Sequence, residues 1–323
     1  MDSVPRVSDG PTPAELGGPG FPAALRRAFL ASRPKFFTAS VLPVLVGTAW
    51  AGAADHAFNG LTFALALLAT VLAHAATNVY NDVGDDLNGT DPANVGRIYP
   101  YTGGSRFIQN GILDRAQMFR LAVVLAALAL AVGGWLTFLR GGGVLLLGLT
   151  GLALGLFYSQ PGVQLSGRGS GELACAVGLG ALPVAGAAWL QAGVVDPAAW
   201  LLGAMVAVWV CLILLINEVP DSVADAAAGK RTLAVRLGEG GTRVLYRLLT
   251  LVALAAGLAL VARGELPQWT ALPVLLLAVG GFKAAGGISL EPARRAVLTR
   301  SIEMTLGIHA AGSIVLVAAS LLR

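Results

Sequence analysis

Nine apolar runs divide the chain, at roughly 36–54, 61–81, 119–139, 142–158, 172–195, 197–217, 244–262, 266–282 and 303–322. About 20 helical residues cross a ~30 Å hydrocarbon core, so each run is a candidate membrane span. Only 12% of the residues are charged, where a soluble domain carries about 25%. The pattern predicts an all-α, polytopic membrane protein.

Nine spans put the termini on opposite sides, and the charges orient them. With the N-terminus cytoplasmic, all but Arg140, Arg263 and Arg323 of the 22 Lys and Arg residues fall on the cytoplasmic side. Positive residues are retained on that side, which also accounts for the net charge of +4 without a nucleic-acid partner. The opposite connections, around Asp55, Arg140, Asp196 and Glu265, are short turns. The cytoplasmic ones, at 82–118, 159–171, 218–243 and 283–302, are longer and polar, so function is expected there. The implied location is the cytoplasmic membrane, with the site open to the cytoplasm.

Residues 1–25 are rich in Pro, Gly and acidic residues and lack a basic region followed by an apolar core, so they read as a disordered tail without a cleavable signal. Residues 26–323 then form one domain. Cys175 and Cys211 sit inside apolar runs as packing residues. Glycines within spans, such as Gly148, Gly151, Gly155, Gly178, Gly180 and Gly186, are expected where helices pack closely. Trp50, Trp135, Trp189, Trp200 and Trp269 lie near outer span ends and read as interface anchors.

Charge at membrane depth is costly, which makes the stretch NVYNDVGDDLNGTD from Asn78 to Asp91 informative. Its pattern Asn78xxxAsp82xxxAsp86 returns as Asn217xxxAsp221xxxAsp225, each position displaced by 139 residues. Both copies end an even-numbered span on the same side, which suggests two pseudo-repeated halves around a central cavity. A spacing of four places each copy along one helical face, with steps of about 6 Å. Carboxylates facing one another repel unless a cation lies between them. Mg2+ suits the pattern, because it binds one or two carboxylates together with substrate phosphates. Arg106, Lys230 and Arg231 beside the motifs are then candidates for contacts to a diphosphate, whereas Arg97 and Arg236 read as ordinary loop charges.

The paired motifs, RPKFFTASVLPVLVG near the start and NEVPDSVADAAAGKRTLAVRLG at the second copy together resemble the UbiA superfamily of intramembrane prenyltransferases. The resemblance covers nearly everything after about residue 30. It implies that the two Asp motifs bind Mg2+ and an isoprenyl diphosphate, and that an aromatic acceptor is alkylated in a cavity open to lipid. Asp82, Asp86, Asp221 and Asp225 would then be catalytic, with Asp82, Asp85, Asp86, Asp221 and Asp225 as candidate metal ligands. Asn78, Arg106, Tyr158, Arg168, Asn217, Lys230 and Arg231 would bind substrates. Diphosphate departure would leave an allylic cation for the acceptor ring to attack, with water excluded.

GGSRFIQNG, INEVPDSVADAAAGKRT and SGRGSGELACAVGLGALPVAGAAWLQAG are similar to the branch that prenylates 1,4-dihydroxy-2-naphthoate for menaquinone. The same chemistry on 4-hydroxybenzoate or another acceptor stays open, as do a carrier or ion-binding protein and a terpene cyclase. Asp85 beside Asp86 leaves the motif register open, and Asp91 is a metal ligand, an acceptor base or a loop cap. Pro220 interrupts the second copy. Tyr158 is a site residue or an interfacial anchor, and Arg168 is placed to meet an acceptor carboxylate. His74 and His309 read as satisfied intramembrane histidines.

Overall fold

The computed structural model describes residues 10–55 and 58–323, leaving the first nine residues of the expected tail outside it. Among the described residues nine helices are long and apolar enough to cross a membrane, and the protein is a multi-pass integral membrane protein. They are α1 (Pro34–Ala53), α2 (Gly60–Leu87), α3 (Arg115–Arg140), α4 (Gly142–Ser159), α5 (Gly171–Ala192), α6 (Pro197–Ala227), α7 (Leu233–Ala262), α8 (Gln268–Gly286) and α9 (Pro292–Leu321). Helices are the expected solution, because hydrocarbon offers no partner for backbone N–H and C=O groups outside the segment itself.

Several helices overrun their apolar stretches. The sixth apolar run closes near residue 217, yet α6 continues to Ala227, and α2 continues to Leu87. Both acidic motifs therefore sit on helical turns that project from the apolar layer. The start of α7 lies ahead of its apolar run because a short helical segment precedes a break at Gly238, whose backbone is left-handed at φ 63°. Helix starts carry local caps: the Asn59 side chain accepts from Thr62 N at 3.0 Å, and Asp114 and Gln117 form a reciprocal capping box.

The most apolar helix, α6, is also the most buried, with 72% of its apolar window inside the molecule. Its residues Leu202, Met205, Trp209, Leu212 and Ile216 form the middle of the main core, against residues of α1, α7, α8 and α9. An apolar surface on all sides of a helix is what burial inside a bundle requires. In lipid such contacts are held by van der Waals packing rather than by escape from water. At the other extreme α3 and α4 are 17% and 11% buried, with most of their surface turned outward.

Some sequence expectations change in the packed molecule. Trp50 is not an interfacial anchor: it is 2% exposed, donates Nε1 to Asp196 Oδ2 at 2.9 Å and carries the Arg323 guanidinium 3.7 Å from its ring centroid. Trp135, Trp200 and Trp269 do keep large exposed faces. Close helix packing explains Gly155 and Gly180, where an added Cβ would lie 2.4 Å from Thr77 Oγ1 and from Ala207 Cα, respectively. It does not explain Gly148 or Gly186, which have nothing within 4 Å of that position. Within residues 10–25, Leu16 is buried in a cluster with Val79, Phe107 and Met118, and Arg27 donates to the Leu16 and Gly18 carbonyls.

Candidate active site

A cavity of about 390 Å³ is walled by α1 to α6, and among the described residues nothing beyond Thr232 lines it. On α2 its face runs through Ala66, Ala69, Ala73, Thr77, Asn81 and Asp85, in steps of three and four that keep to one side of a helix. On α6 the corresponding face holds Ile213, Asn217, Asp221 and Asp225. One end is thus polar and the rest apolar.

At the polar end the two motifs do not present equivalent positions. Asn78, Asp85, Asn217, Asp221 and Asp225 line the cavity, whereas Asp82 and Asp86 do not. Residues 82 and 86 each follow a lining residue by one position, a rotation of about 100° on a helix. Asp82 is buried behind the wall, paired with Arg33 and accepting from Ser105 N at 3.0 Å. Asp86 points away from the cavity and is mostly covered, held by Arg115 Nε at 2.7 Å and Gln109 Nε2 at 3.2 Å. A spacing of four fits 78/82/86 and 77/81/85 equally well, and only packing selects the second.

Lys230 joins the copies. Its Nζ lies 2.5 Å from Asp85 Oδ1 and 3.4 Å from Asp225 Oδ1. Burial works against its charge, but Asp85 and Asp225 outweigh that and hold the ammonium above its usual range. A backbone strap adds a second link. Gly103 N donates to Asp221 Oδ2 at 3.1 Å and Ser105 N to Asp82, so one loop holds both copies from the main chain. Gly104 between them has φ 77°, and an added Cβ would stand 2.4 Å from Asp91 Oδ2. Asn94 Nδ2 completes the hold on Asp221 at 2.7 Å.

The other sequence candidates divide. Tyr158 lines the cavity, and Asn78 lines it while donating Nδ2 to the Ser32 carbonyl at 3.0 Å. Arg106 is buried under the loop with a left-handed backbone at φ 67°, donating to the Asp91 carbonyl at 2.6 Å, and is not among the lining residues. Arg168 and Arg231 are exposed on adjoining loops: Arg168 donates to the Gly162 carbonyl, and Arg231 N to the Gly167 carbonyl at 2.7 Å. His74 is paired with Ser40 Oγ at 2.5 Å, whereas both ring nitrogens of buried His309 lack a hydrogen-bond partner.

Sequence reasoning passed over Arg33, Asn81, Asn94 and the main-chain donors of the strap. Arg33 reads as one more positive charge ahead of the first span, and nothing local shows that its left-handed backbone, φ 56°, brings it against Asp82. Main-chain donors leave no trace in residue type.

The charged lining residues among those described are Asp85, Asp91, Glu218, Asp221 and Asp225 against Arg33 and Lys230, beside His74. Burial, with the Asp85 charge nearby, pushes the Asp91 carboxyl up to about 7. Asp91 Oδ2, Asn217 Oδ1 and Glu218 Oε2 are buried oxygens with no hydrogen-bond donor. An oxygen-only, anionic donor set suits a hard divalent cation. Among the described residues no three carboxylate, His or Cys side chains close into a metal cage, so such a cation would need further oxygens from a ligand. The residues present therefore fit Mg2+ delivered with a phosphate compound.

Residues 40–304 match the model of the UbiA prenyltransferase family. The chain is 30% identical over 270 residues to the 1,4-dihydroxy-2-naphthoate octaprenyltransferase of Mycobacterium tuberculosis, covering 82% of this chain and 89% of that one. It is 31% identical over 228 residues to the enzyme of that description from Escherichia coli, covering 69% and 72%. In three dimensions it is similar to a UbiA homolog from Archaeoglobus fulgidus bound to GPP and Mg2+. That match has a TM-score of 0.62 at 15% identity, and covers 90% of this chain and 99% of that one.

Proposed function

The chain belongs to the UbiA prenyltransferase family, and from that premise we propose that it transfers a polyprenyl group from an isoprenyl diphosphate to 1,4-dihydroxy-2-naphthoate, as a step toward menaquinone. The observation that carries the reading is a single cavity with an acidic end and an apolar remainder, shaped for an amphiphile with a phosphate head. The naphthoate acceptor is supported by the relatives at about 30% identity that carry that activity in their descriptions.

Mg2+ brought in with the diphosphate would be met by one or two of Asp85, Asp221 and Asp225, which line that end, with Asn217 Oδ1 and Asp91 Oδ2 as further oxygens and the rest of its shell from the diphosphate. When bound, Mg2+ supplies charge neutralisation to the diphosphate, which makes it a better leaving group. Lys230, already drawn between the two motifs, donates to the same oxygens as negative charge develops there. Arg33 lines the same end and adds the second cation. The strap keeps Asp221 and Asp82 oriented through main-chain donors that need no reorganisation during the reaction.

Once diphosphate leaves, the allylic cation lies among apolar side chains, where little water competes with the acceptor ring; the ring carbon that forms the new bond then gives up its substituent, CO2 where that carbon bears the carboxylate, and the ring regains aromaticity. Tyr158 and Glu218 border the cavity where an aromatic acceptor would approach from the polar end. Lys and Arg crowd the loops on that side of the helices, which supports a site at the cytoplasmic face of the cytoplasmic membrane.

Purified protein incubated with Mg2+, octaprenyl diphosphate and a panel of aromatic acids tests the reading, with products identified by mass. Prenylated naphthoquinol is the expected product. Prenylation of 4-hydroxybenzoate alone would overturn the acceptor assignment.

A further inference from the structure

His74 lines the cavity one helical turn inward of Asn78 on α2, and it is only 4% exposed. Two residues of α1 fix its ring. Ser40 Oγ lies 2.5 Å from Nδ1, and the Phe37 ring meets the imidazole edge-on with 5.7 Å between centroids. Ser40 is itself fully buried, and among the described residues Nδ1 is the one partner of its hydroxyl. A hydroxyl that accepted there would leave its own proton unpaired, so Ser40 donates to Nδ1 and the ring N–H is carried by Nε2. Nε2 has no partner among the described residues. The ring therefore offers the cavity a fixed and unused donor.

The threonines nearby behave differently. Thr77 and Thr137 also line the cavity, but their hydroxyls turn back to the carbonyls of Ala73 and Gly133 at 3.0 and 2.9 Å. An unused polar group at membrane depth is costly and marks a place for a ligand. Of the molecules the cavity would hold, one class brings an oxygen to that depth. Asp85 at the acidic end lies roughly 16 Å along α2 from His74, at 1.5 Å per residue. A diphosphate held by Lys230 beside Asp85 and Asp225 is too short to span that distance, and an isoprenoid tail carries no oxygen.

We propose that His74 Nε2 donates to a ring hydroxyl oxygen of the aromatic acceptor and so fixes the ring beside the allylic carbon, with Ser40 as the positioning residue that sets the tautomer. The acceptor is then gripped from α2 and α1, on the apolar side of the diphosphate.

This inference rests on the prenyl-transfer reading of the cavity, and the test separates the two. The full chain in lipid nanodiscs is assayed with Mg2+, octaprenyl diphosphate and 1,4-dihydroxy-2-naphthoate. His74→Leu, a change of similar volume, is expected to raise KM for the acceptor by about tenfold, the scale of leaving one buried hydrogen-bonding group unpaired, with KM for the diphosphate unchanged. His74→Gln, whose carboxamide supplies a donor, should recover most of that loss. Ser40→Ala, which frees the ring without removing it, should raise the acceptor KM by about threefold.

Equal rises in both KM values, or a His74→Gln variant as impaired as His74→Leu, would make His74 a structural residue and overturn the assignment while prenyl transfer stands. An acceptor KM unchanged in both His74→Leu and Ser40→Ala would do the same. No prenylated product from the parent protein with any aromatic acid would overturn both readings.

Discussion

The two acidic motifs match position for position in the sequence and differ in what they face. In the second copy Asn217, Asp221 and Asp225 all border the cavity. In the first copy the bordering carboxylate is Asp85, while Asp82 is held behind the wall and Asp86 turns away from the cavity to Arg115. A repeat in the chain is therefore not a repeat in the site. One copy presents its carboxylates directly, and the other uses part of its set to hold Arg33 and the strap in place.

The strongest way to break that comparison is to remove cavity carboxylates from each copy. Asp85→Asn and Asp221→Asn are each expected to lower kcat by about 10²–10³, the scale of losing one electrostatic contact to a developing charge. Removing Mg2+ with a chelator should abolish prenyl transfer in the unaltered protein, and added Mg2+ should restore it. Product formation under single-turnover conditions reads both.

Lys230→Ala comes next, because it separates the copies without altering either. Asp85 and Asp225 would then share a buried site with no cation between them, and removing one partner of a buried pair costs about 3–5 kcal/mol. A lower thermal midpoint of the metal-free protein is expected, measured in detergent, with a smaller loss when Mg2+ and diphosphate are present. Gly104→Ala should be milder. A left-handed backbone costs a non-glycine residue about 1–2 kcal/mol, and the Asp91 carboxylate must also shift from the added Cβ, so a lower thermal midpoint is expected.

The smallest effect sharpens the comparison most. Asp86 faces away from the cavity, and its carboxylate, 9% exposed, is held by Arg115 and Gln109, so Asp86→Asn should lower the thermal midpoint and reduce kcat/KM far less than Asp85→Asn does. If Asp86→Asn were as damaging as Asp85→Asn, the facing of the first copy described here would be refuted.

The membrane architecture was legible because span length and loop charge are set by the bilayer, independently of packing. The paired motifs were legible because buried carboxylates stand out in apolar sequence. Register was not: Asp85 and Asp86 differ by one position, and the choice between them depends on how α2 meets its neighbours. The role of Trp50 was hidden for a similar reason. Its position near a span end fits an anchor, and only its contacts with Asp196 and Arg323 make it core. Arg33 was legible as a charge and not as a site residue, since nothing nearby in sequence announces Asp82 as its partner.

The strap at Gly103 to Ser105 carries a consequence for anyone surveying this family by substitution. Its grip on Asp82 and Asp221 comes from peptide N–H groups, which every residue except proline supplies. Replacing Ser105 by alanine leaves that donor in place, and a side-chain scan would score that position as tolerant. A shortened or lengthened loop would instead release both carboxylates together. Natural variation is expected to change residue type at Ser105 while Gly103, Gly104 and the loop length stay constant.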